Sequence, residues 1–283
     1  MDEIVLESFG KINLSLDVLY KRDDGYHELN TIMQQIGLKD RIILKNRNNG
    51  IKIECNDEGV PLDNGNLVYK AWEKIVEKTG VNRGIHIIID KNIPVASGLA
   101  GGSANGATVL KGLNTLWDLN LTERELMDIG LEIGADIPFC IIGGTAWAKG
   151  VGEKLTKLNS FSNKMILLAN VGIPVSTAHV YENLKLDNSY SRIDIGKIVE
   201  YMEEDNLYKL GENMDNVMEK AVMKEYPIIE EIKRDMIKFG ALGSLMSGSG
   251  PTVFGLFDDE DKLYRCKNEL EKRIKKVIVT KTI

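Results

Sequence analysis

Apolar and polar residues alternate through the first part of the chain. Polar residues at odd positions, including Lys11 and Asn13, fall on one face of an extended segment over residues 4–18. The apolar residues of the other face are Ile4, Leu6, Ile12, Leu14, Leu16 and Val18. A period of two residues predicts a strand. Because apolar residues flank Lys11 along this strand, we expect its ammonium group to point into a cleft.

The rest of the pattern mixes strands and helices without regular alternation. Further strands are predicted over residues 31–45, 51–55 (after an Asn-Asn-Gly turn), 86–89, 143–149, 165–171, 242–257 (as strand–turn–strand) and 277–280. Helices are predicted over residues 66–79 and 103–116, and a third begins at the Thr122–Glu125 capping box and ends near Gly134. Three or four more are predicted between about 176 and 239, and one after residue 257. Such a mixture favours an α+β fold over a doubly wound sheet. A polar stretch at 158–164 predicts two domains, residues 1–158 and 159–283.

Two glycine-rich segments interrupt this pattern. Residues 94–104 lie between a strand and a helix, where backbone N–H groups and the helix N-terminus bind phosphate. The segment has neither the GxxxxGK[ST] nor the GxGxxG spacing. Residues 243–251 are typical of a tight hairpin, although two such segments in one chain favour a shared phosphate pocket. Gly106 lies inside the helix after the first segment and predicts the close approach of another group.

Two further positions have side chains that suit catalysis or binding. Asp136 lies between a predicted helix end and Pro138, which is typical of a turn or cap residue. The alternative is a general base among apolar neighbours, kept ionised by Lys11. His27 follows Tyr26 after an Asp-Gly turn and is weak evidence by itself. No pair among the three histidines has metal-ligand spacing.

The composition narrows the class of protein. The chain has 283 residues, which suits one large domain or two ordinary ones, and a net charge of −6, which argues against a nucleic-acid partner. Its three cysteines lie far apart without a CxxC pair, which argues against a disulfide framework or zinc site and fits a reducing compartment. No signal peptide is visible, and no apolar run approaches the ~18 residues that span a bilayer. We therefore expect a cytoplasmic protein with no membrane partner.

Three elements, in order, resemble the GHMP kinase superfamily. They are Lys11 on the first strand, the Pro-x-x-x-Gly-Leu-x-Gly-Gly-Ser sequence at 94–103, and the Gly-Ser-Gly sequence at 248–250. Residues 24–29 and 134–139 extend the resemblance. It implies a two-domain GHMP kinase fold, in which a ribosomal-protein-S5-domain-2-like nucleotide domain precedes a C-terminal ferredoxin-like domain.

The resemblance also assigns roles to residues. It implies that Lys11 and Asp136 are the catalytic pair. It implies an ATP site formed by Asn66, Pro94, Val95, Ala96, Ser97, Gly98, Leu99, Ala100, Gly101, Gly102, Ser103 and Ala104. The acceptor implied is cytidine diphosphate methylerythritol, bound by Asn13, Tyr26, His27, Val151 and Tyr181, with Tyr181 stacked on the cytosine opposite Tyr26. Ala104 and Gly106 stand where family members often have Ser and Ala.

The implied function is a small-molecule kinase that uses ATP and Mg²⁺. It would phosphorylate the 2-hydroxyl of this acceptor in the non-mevalonate route to isoprenoid precursors, as a monomer or homodimer. Two alternatives remain open. A related kinase would act on homoserine or mevalonate, although the Gly-Tyr-His sequence at 25–27 argues against both. A non-catalytic nucleotide-binding regulator would be expected to lose the base, and Asp136 is present.

Overall fold

The computed structural model describes residues 2–81, 83–184, 186 and 192–283. The chain divides into two compact units. Unit 1 contains residues 1–11, 38–95 and 100–143, and unit 2 contains residues 12–37, 96–99 and 144–283. Two long strands, β1 (Glu3–Lys21) and β2 (His27–Arg47), contribute residues to both units. The predicted domain boundary between residues 158 and 159 stays a prediction.

Unit 1 combines strands with packed helices. Its further elements are β3 (Ile51–Cys55), α1 (Leu67–Thr79), β4 (Gly84–Asp90), α2 (Gly101–Leu116), α3 (Glu123–Ile133) and α4 (Ile137–Ile142). Strand β4 runs antiparallel to the second half of β2 and parallel to β3. Strands β2 and β3 follow each other in sequence, but β4 lies between them in the sheet.

The core of unit 1 lies between its sheet and its helices. Ile42 and Leu44 of β2 and Leu110 and Leu113 of α2 are fully buried. A Cβ atom at Gly112 would collide with the side chain of Leu44, so α2 lies directly on the sheet. Burial of a leucine or isoleucine side chain stabilises a fold by about 1.5–3 kcal/mol, so these contacts fix α2 against β2.

Unit 2 contains the first half of β2, the second half of β1 and the C-terminal elements. These are β5 (Thr145–Gly150), β6 (Lys154–Lys157), β7 (Met165–Asn170), α5 (Thr177–Asn183), α6 (Ile195–Glu203), α7 (Leu207–Asn213), α8 (Glu219–Glu225), α9 (Ile228–Lys238), β8 (Gly243–Met246), β9 (Val253–Phe257), α10 (Glu260–Leu270) and β10 (Lys276–Lys281). Strand β5 pairs antiparallel with β2, and β6 pairs with β5.

A second sheet in unit 2 has the strand order β10-β7-β9-β8, and each neighbouring pair is antiparallel. Its core includes Leu167 of β7, Phe257 of β9 and Ile232 of α9. Leu16 and Val18 of β1 belong to the same core. The second half of β1 therefore packs together with the C-terminal elements of this unit.

Several local predictions were incomplete. Helix α4 was not predicted, because Pro138 lies in its first turn and the helix is only six residues long. Between residues 176 and 239 the described part of the chain forms five helices, α5 to α9, where three or four were predicted. Three of these have seven residues each, too few to show a helical period. No helix among the described residues is long and apolar enough to cross a bilayer.

Candidate active site

The glycine-rich segment at 94–104 leads into the N-terminus of α2. Ala96, Gly98 and Ala100 have φ angles of 49°, 77° and 54°, in the left-handed region. For alanine this conformation costs roughly 1–2 kcal/mol, and such strain concentrates at functional sites. Ala100 is the N-cap residue, and its methyl side chain cannot accept a hydrogen bond. The N–H groups that begin the 16-residue helix are therefore suited to bind the oxygens of an anion.

The predicted catalytic pair lies in unit 1. The Nζ atom of Lys11 on β1 is 3.9 Å from the Oδ2 atom of Asp136. The Lys11 side chain is 6% exposed and the Asp136 side chain is 35% exposed. Lys11 therefore lies in a protected position, as its apolar neighbours predict, while the carboxylate remains accessible to a substrate.

Asp136 is the N-cap residue of α4. This position favours a negative charge, because the N–H dipoles of a helix point toward its N-terminus. Two glycines allow α4 to approach its neighbours: a Cβ atom at Gly106 would lie 3.2 Å from Ile137 Cδ1, and one at Gly130 would lie 2.5 Å from Ile137 Cγ2. The close approach predicted at Gly106 is therefore a helix contact next to Asp136.

Cys140 is buried in α4, one turn after Asp136. Burial raises the pKa of its thiol to about 12, and the nearby Asp136 carboxylate acts in the same direction. The thiol therefore stays protonated at neutral pH and does not compete with Asp136 as a base.

The residues predicted to bind the acceptor lie in unit 2. The rings of His27 and Tyr181 stack with centroids 4.6 Å apart and an interplanar angle of 14°. The structure therefore brings these two predicted residues together, while Tyr26 is 64% exposed. Burial, and secondarily the charge of Lys21, lowers the pKa of His27.

Asn13 and Val151 are also held by hydrogen bonds within unit 2. The Asn13 Nδ2 atom donates to Thr31 Oγ1 at 2.9 Å. The Val151 N–H group donates to Glu153 Oε2 at 2.6 Å, in the turn between β5 and β6. At the preceding residue, the Gly150 N–H group donates to Glu28 Oε1 at 3.1 Å. Glu28 directly follows His27 in the sequence. The hydrogen bond from Gly150 to Glu28 therefore holds the turn that contains Val151 close to the strand that begins at His27.

The second glycine-rich segment connects β8 to β9 and contacts part of the first. The Ser247 hydroxyl donates to the Gly98 carbonyl oxygen at 2.9 Å, and the Thr252 N–H group donates to the Ser97 carbonyl oxygen at 3.3 Å. A Cβ atom at Gly98 would collide with the Ser247 carbonyl oxygen, which explains the glycine. In unit 2 this turn therefore supports residues 97 and 98.

Two residues that the sequence analysis did not identify hold the second segment. The Asn216 Nδ2 atom donates to the carbonyl oxygens of Met246 and Gly248, both at 2.8 Å. Glu219 Oε1 accepts a hydrogen bond from the Met246 N–H group at 2.7 Å. Burial raises the pKa of Glu219, which also pairs with Lys233. Asn216 and Glu219 lie at the start of the short helix α8, far from Met246 in the sequence, so no local signal pointed to this contact.

Asn66 has a structural role in addition to its predicted one. It is the N-cap residue of α1, and its Oδ1 atom accepts a hydrogen bond from the Val68 N–H group at 3.0 Å. Its Nδ2 atom donates to the Pro61 carbonyl oxygen at 2.6 Å. These two bonds fix the amide, so its contribution to a nucleotide site stays a prediction.

Comparison with known proteins gives the family. The family model described as GHMP kinases N terminal domain matches residues 66–144, and the model described as GHMP kinases C terminal matches residues 198–276. The 4-diphosphocytidyl-2-C-methyl-D-erythritol kinase of Acetivibrio thermocellus is 48% identical over 283 residues, which is 100% of both chains. The enzyme of the same name from Clostridium botulinum is 46% identical over 98% of this chain and 99% of its own.

Solved structures agree with these relatives. The crystal structure of a 4-(cytidine 5'-diphospho)-2C-methyl-D-erythritol kinase matches with a TM-score of 0.84 and 28% identity over 99% of both chains. The homoserine kinase of Cytophaga hutchinsonii matches with a TM-score of 0.80 and 19% identity, over 100% of this chain and 95% of its own, and so shares the fold alone. The chain belongs to the GHMP kinases, within the family of the 4-diphosphocytidyl-2-C-methyl-D-erythritol kinases. The predicted resemblance and the α+β GHMP kinase fold are confirmed.

Proposed function

We propose that this protein transfers the γ-phosphoryl group of ATP to the 2-hydroxyl of 4-diphosphocytidyl-2-C-methyl-D-erythritol, a step of the non-mevalonate route to isoprenoid precursors. The names of its full-length relatives support this substrate. The ion pair of Lys11 and Asp136, with 3.9 Å between Nζ and Oδ2, supports the chemistry.

The proposed reaction is a direct in-line transfer. The acceptor hydroxyl gives its proton to Asp136 while its oxygen forms a bond to the γ-phosphorus, and the bond from that phosphorus to ADP breaks. Lys11 offsets negative charge near Asp136 and the transferred group. Transfers of this kind depend mainly on positioning and on stabilisation of charge. A positioned base contributes roughly 10²–10⁴-fold to the rate.

The proposed ATP site consists of residues 94–104 together with Asn66. The N–H groups at the start of α2 support it, because they can donate to phosphate oxygens. The described residues contain no cluster of three or more His, Cys, Asp or Glu side chains suited to hold a metal ion. In kinase sites Mg²⁺ is bound largely through substrate phosphates and keeps several waters, so we propose that it binds together with ATP. When bound, Mg²⁺ would neutralise phosphate charge.

The proposed acceptor site consists of Asn13, Tyr26, His27, Val151 and Tyr181. The stacked rings of His27 and Tyr181 support it, because they offer a flat surface suited to a cytosine ring. We propose that the cytosine binds between Tyr181 and Tyr26. In this arrangement His27 supports one face of the Tyr181 ring and the base contacts the other.

The organisation of the chain is also a proposal. We propose two domains, residues 1–158 and 159–283, and the matches of the two family models lie on either side of this boundary. We propose a cytoplasmic location, which the three free cysteines fit. The protein would act as a monomer or homodimer, without nucleic-acid or membrane partners.

An ADP-release assay tests the function. The protein is incubated with ATP, Mg²⁺ and 4-diphosphocytidyl-2-C-methyl-D-erythritol, and parallel reactions contain homoserine or mevalonate at the same concentration. We expect acceptor-dependent ADP release with the cytidylyl substrate alone. Faster release with homoserine or mevalonate would assign the chain to another acceptor. Nucleotide binding without turnover of any of the three would indicate a regulator.

A further inference from the structure

A buried carboxylate in unit 1 lies behind the start of α2. The Asp40 side chain is 0% exposed. Its Oδ2 atom accepts hydrogen bonds from Lys91 Nζ at 2.6 Å and from Asn105 Nδ2 at 2.8 Å. Its Oδ1 atom accepts from the N–H groups of Asn92 at 2.7 Å and Ile93 at 2.8 Å. A carboxylate can accept about four hydrogen bonds, and these four donors therefore satisfy Asp40 fully.

These donors come from both sides of the segment at 94–100. Asn92 and Ile93 directly precede it, and Asn105 lies on the second turn of α2. Asn105 Nδ2 also donates to the Ser8 hydroxyl oxygen at 2.9 Å, which connects the helix to β1. Asp40 is therefore the common partner of the two ends of this segment.

Lys91 extends the cluster to the first residue of α2. Its Nζ atom donates to the Ile93 carbonyl oxygen at 2.8 Å, and the Lys91 side chain is 4% exposed. A Cβ atom at Gly101 would lie 2.8 Å from Lys91 Nζ and 2.9 Å from Ile93 Cγ2. A larger residue at this position would therefore displace the Lys91 or Ile93 side chain, so the cluster lies directly against the helix N-terminus.

The arrangement has a physical consequence for the N–H groups of α2. A buried ion pair is costly to disrupt, since the loss of one partner leaves the other charge unpaired in a protected site. Asp40 and its partners therefore hold one geometry. Donors fixed in advance bind a charged group without further reorganisation.

We propose that Asp40 is a positioning residue for the ATP site. It ties Asn92 and Ile93 to Asn105 and so holds the start of α2 in the geometry that takes the nucleotide phosphates. This inference rests on the proposed assignment of residues 94–104 to ATP. Nothing in it requires Asp40 to touch the nucleotide.

The test compares two ends of the same helix. Asp40→Asn keeps the shape of the side chain but removes its charge and one acceptor. Asn46→Ala is the matched control, because Asn46 Oδ1 accepts a 2.9 Å hydrogen bond from Trp117 Nε1 at the far end of α2. For each variant, KM is measured for ATP and for the acceptor, Kd is measured for ADP by calorimetry, and thermal unfolding is recorded.

We expect Asp40→Asn to raise the KM of ATP and the Kd of ADP about tenfold or more, which is the effect of losing about one charge-assisted hydrogen bond to a phosphate. The KM of the acceptor should stay within about twofold of the wild-type value, since the acceptor contacts are elsewhere. Asn46→Ala should lower the unfolding temperature without changing either KM. Equal effects of both variants on ATP would mean that Asp40 only stabilises the helix, and would overturn the proposal.

Two further variants separate the possible failures. Gly102→Asp places a carboxylate at the exposed start of α2, where it suits the helix but repels phosphate. If this variant binds ADP normally, the segment is not the nucleotide site, and both the site assignment and the role of Asp40 fail. If Gly102→Asp weakens ADP binding and Asp40→Asn does not, only the positioning role fails. If Asp40→Asn does not fold, Asn105→Ala provides the test. It keeps the ion pair of Asp40 and Lys91 but removes the hydrogen bond from α2 to Asp40. An unchanged Kd for ADP in Asn105→Ala would then overturn the proposal.

Discussion

The predicted site residues of the two units differ in their chemistry. In unit 1 the site residues include a charge pair, Lys11 and Asp136, and a helix N-terminus that suits an anion. In unit 2 they include an aromatic stack, His27 on Tyr181, and a turn after β8 whose carbonyl oxygens accept hydrogen bonds from Asn216. Charges stabilise the transfer of a phosphoryl group, whereas flat rings select a base. We therefore expect variants of the charge pair and of the start of α2 to change kcat or ATP binding, and variants of the aromatic stack and of the turn after β8 to change acceptor binding or stability.

The largest expected effect comes from the base. Asp136→Asn keeps the size of the side chain but cannot accept the proton of the acceptor. We expect kcat to fall about 10²–10⁴-fold, with the Kd of ADP within about threefold of the wild-type value. Single-turnover kinetics and calorimetry measure the two quantities.

Asp128→Asn is the matched control for this variant. Asp128 is an exposed carboxylate on α3 that pairs with Arg124 at 3.1 Å. Its replacement should leave kcat unchanged. Near-normal turnover by Asp136→Asn would remove this residue from the role of base and would break the contrast between the two units.

The second effect concerns stability and tests whether the turn after β8 is a support. Asn216→Ala leaves the buried carbonyl oxygen of Met246 and the partly buried carbonyl oxygen of Gly248 without this donor. We expect the free energy of unfolding to fall by about 1–3 kcal/mol, with both KM values nearly unchanged at 20 °C. Denaturant unfolding and steady-state kinetics measure the two effects.

Asn213→Ala provides the comparison for Asn216. Asn213 is exposed on α7 and donates to the Lys209 carbonyl oxygen at 2.8 Å. Surface changes of this kind usually alter stability by less than about 0.5 kcal/mol. A large change in the KM of ATP in Asn216→Ala would show that the second turn contributes to nucleotide binding and is more than a support.

The third effect should be confined to the acceptor. His27→Ala removes the ring that stacks on Tyr181. An aromatic pair contributes about 0.5–1.5 kcal/mol, so we expect the KM of the cytidylyl substrate to rise about two- to tenfold. The KM of ATP should change less. His86→Ala, in β4 of unit 1, should change neither constant, and a raised KM for ATP alone in His27→Ala would reverse the assignment.

Local signals in the sequence predicted much of this contrast. The capping box of Thr122 and Glu125 predicted the start of α3, and the structure confirms both of its hydrogen bonds. The alternation around Lys11 predicted a protected lysine, and its side chain is 6% exposed. In each case the signal comes from residues a few positions apart in the sequence, and local propensity and periodicity are read over that distance.

Supports between distant residues were not predictable in the same way. Asp40 binds Lys91 and Asn105, which are 51 and 65 residues away in the sequence. Asn216 binds the carbonyl oxygen of Met246, 30 residues away. A single polar residue in an apolar strand indicates that a partner exists, but the topology decides which one it is. The position of β4 between β2 and β3 is a further result of topology.

The smallest expected effect is a dependence on pH, and it follows from the pKa of His27. Burial lowers this pKa below the ordinary value of about 6.5, so the folded protein favours the neutral ring. Well above pH 6.5 the ring is neutral in both the folded and the unfolded chain. The neutral stacked ring then makes its full contribution to the stability of the fold. As the pH falls through the lowered pKa the ring is protonated and the contribution is lost.

We therefore expect the KM of the acceptor to be constant from about pH 8 to about pH 6.5 and to rise only in more acidic solution. His27→Gln should abolish this rise. An increase in the KM of the acceptor that begins above pH 7, or that persists in His27→Gln, would assign the titration to another group. The stack of neutral His27 on Tyr181 would then have no role in acceptor binding.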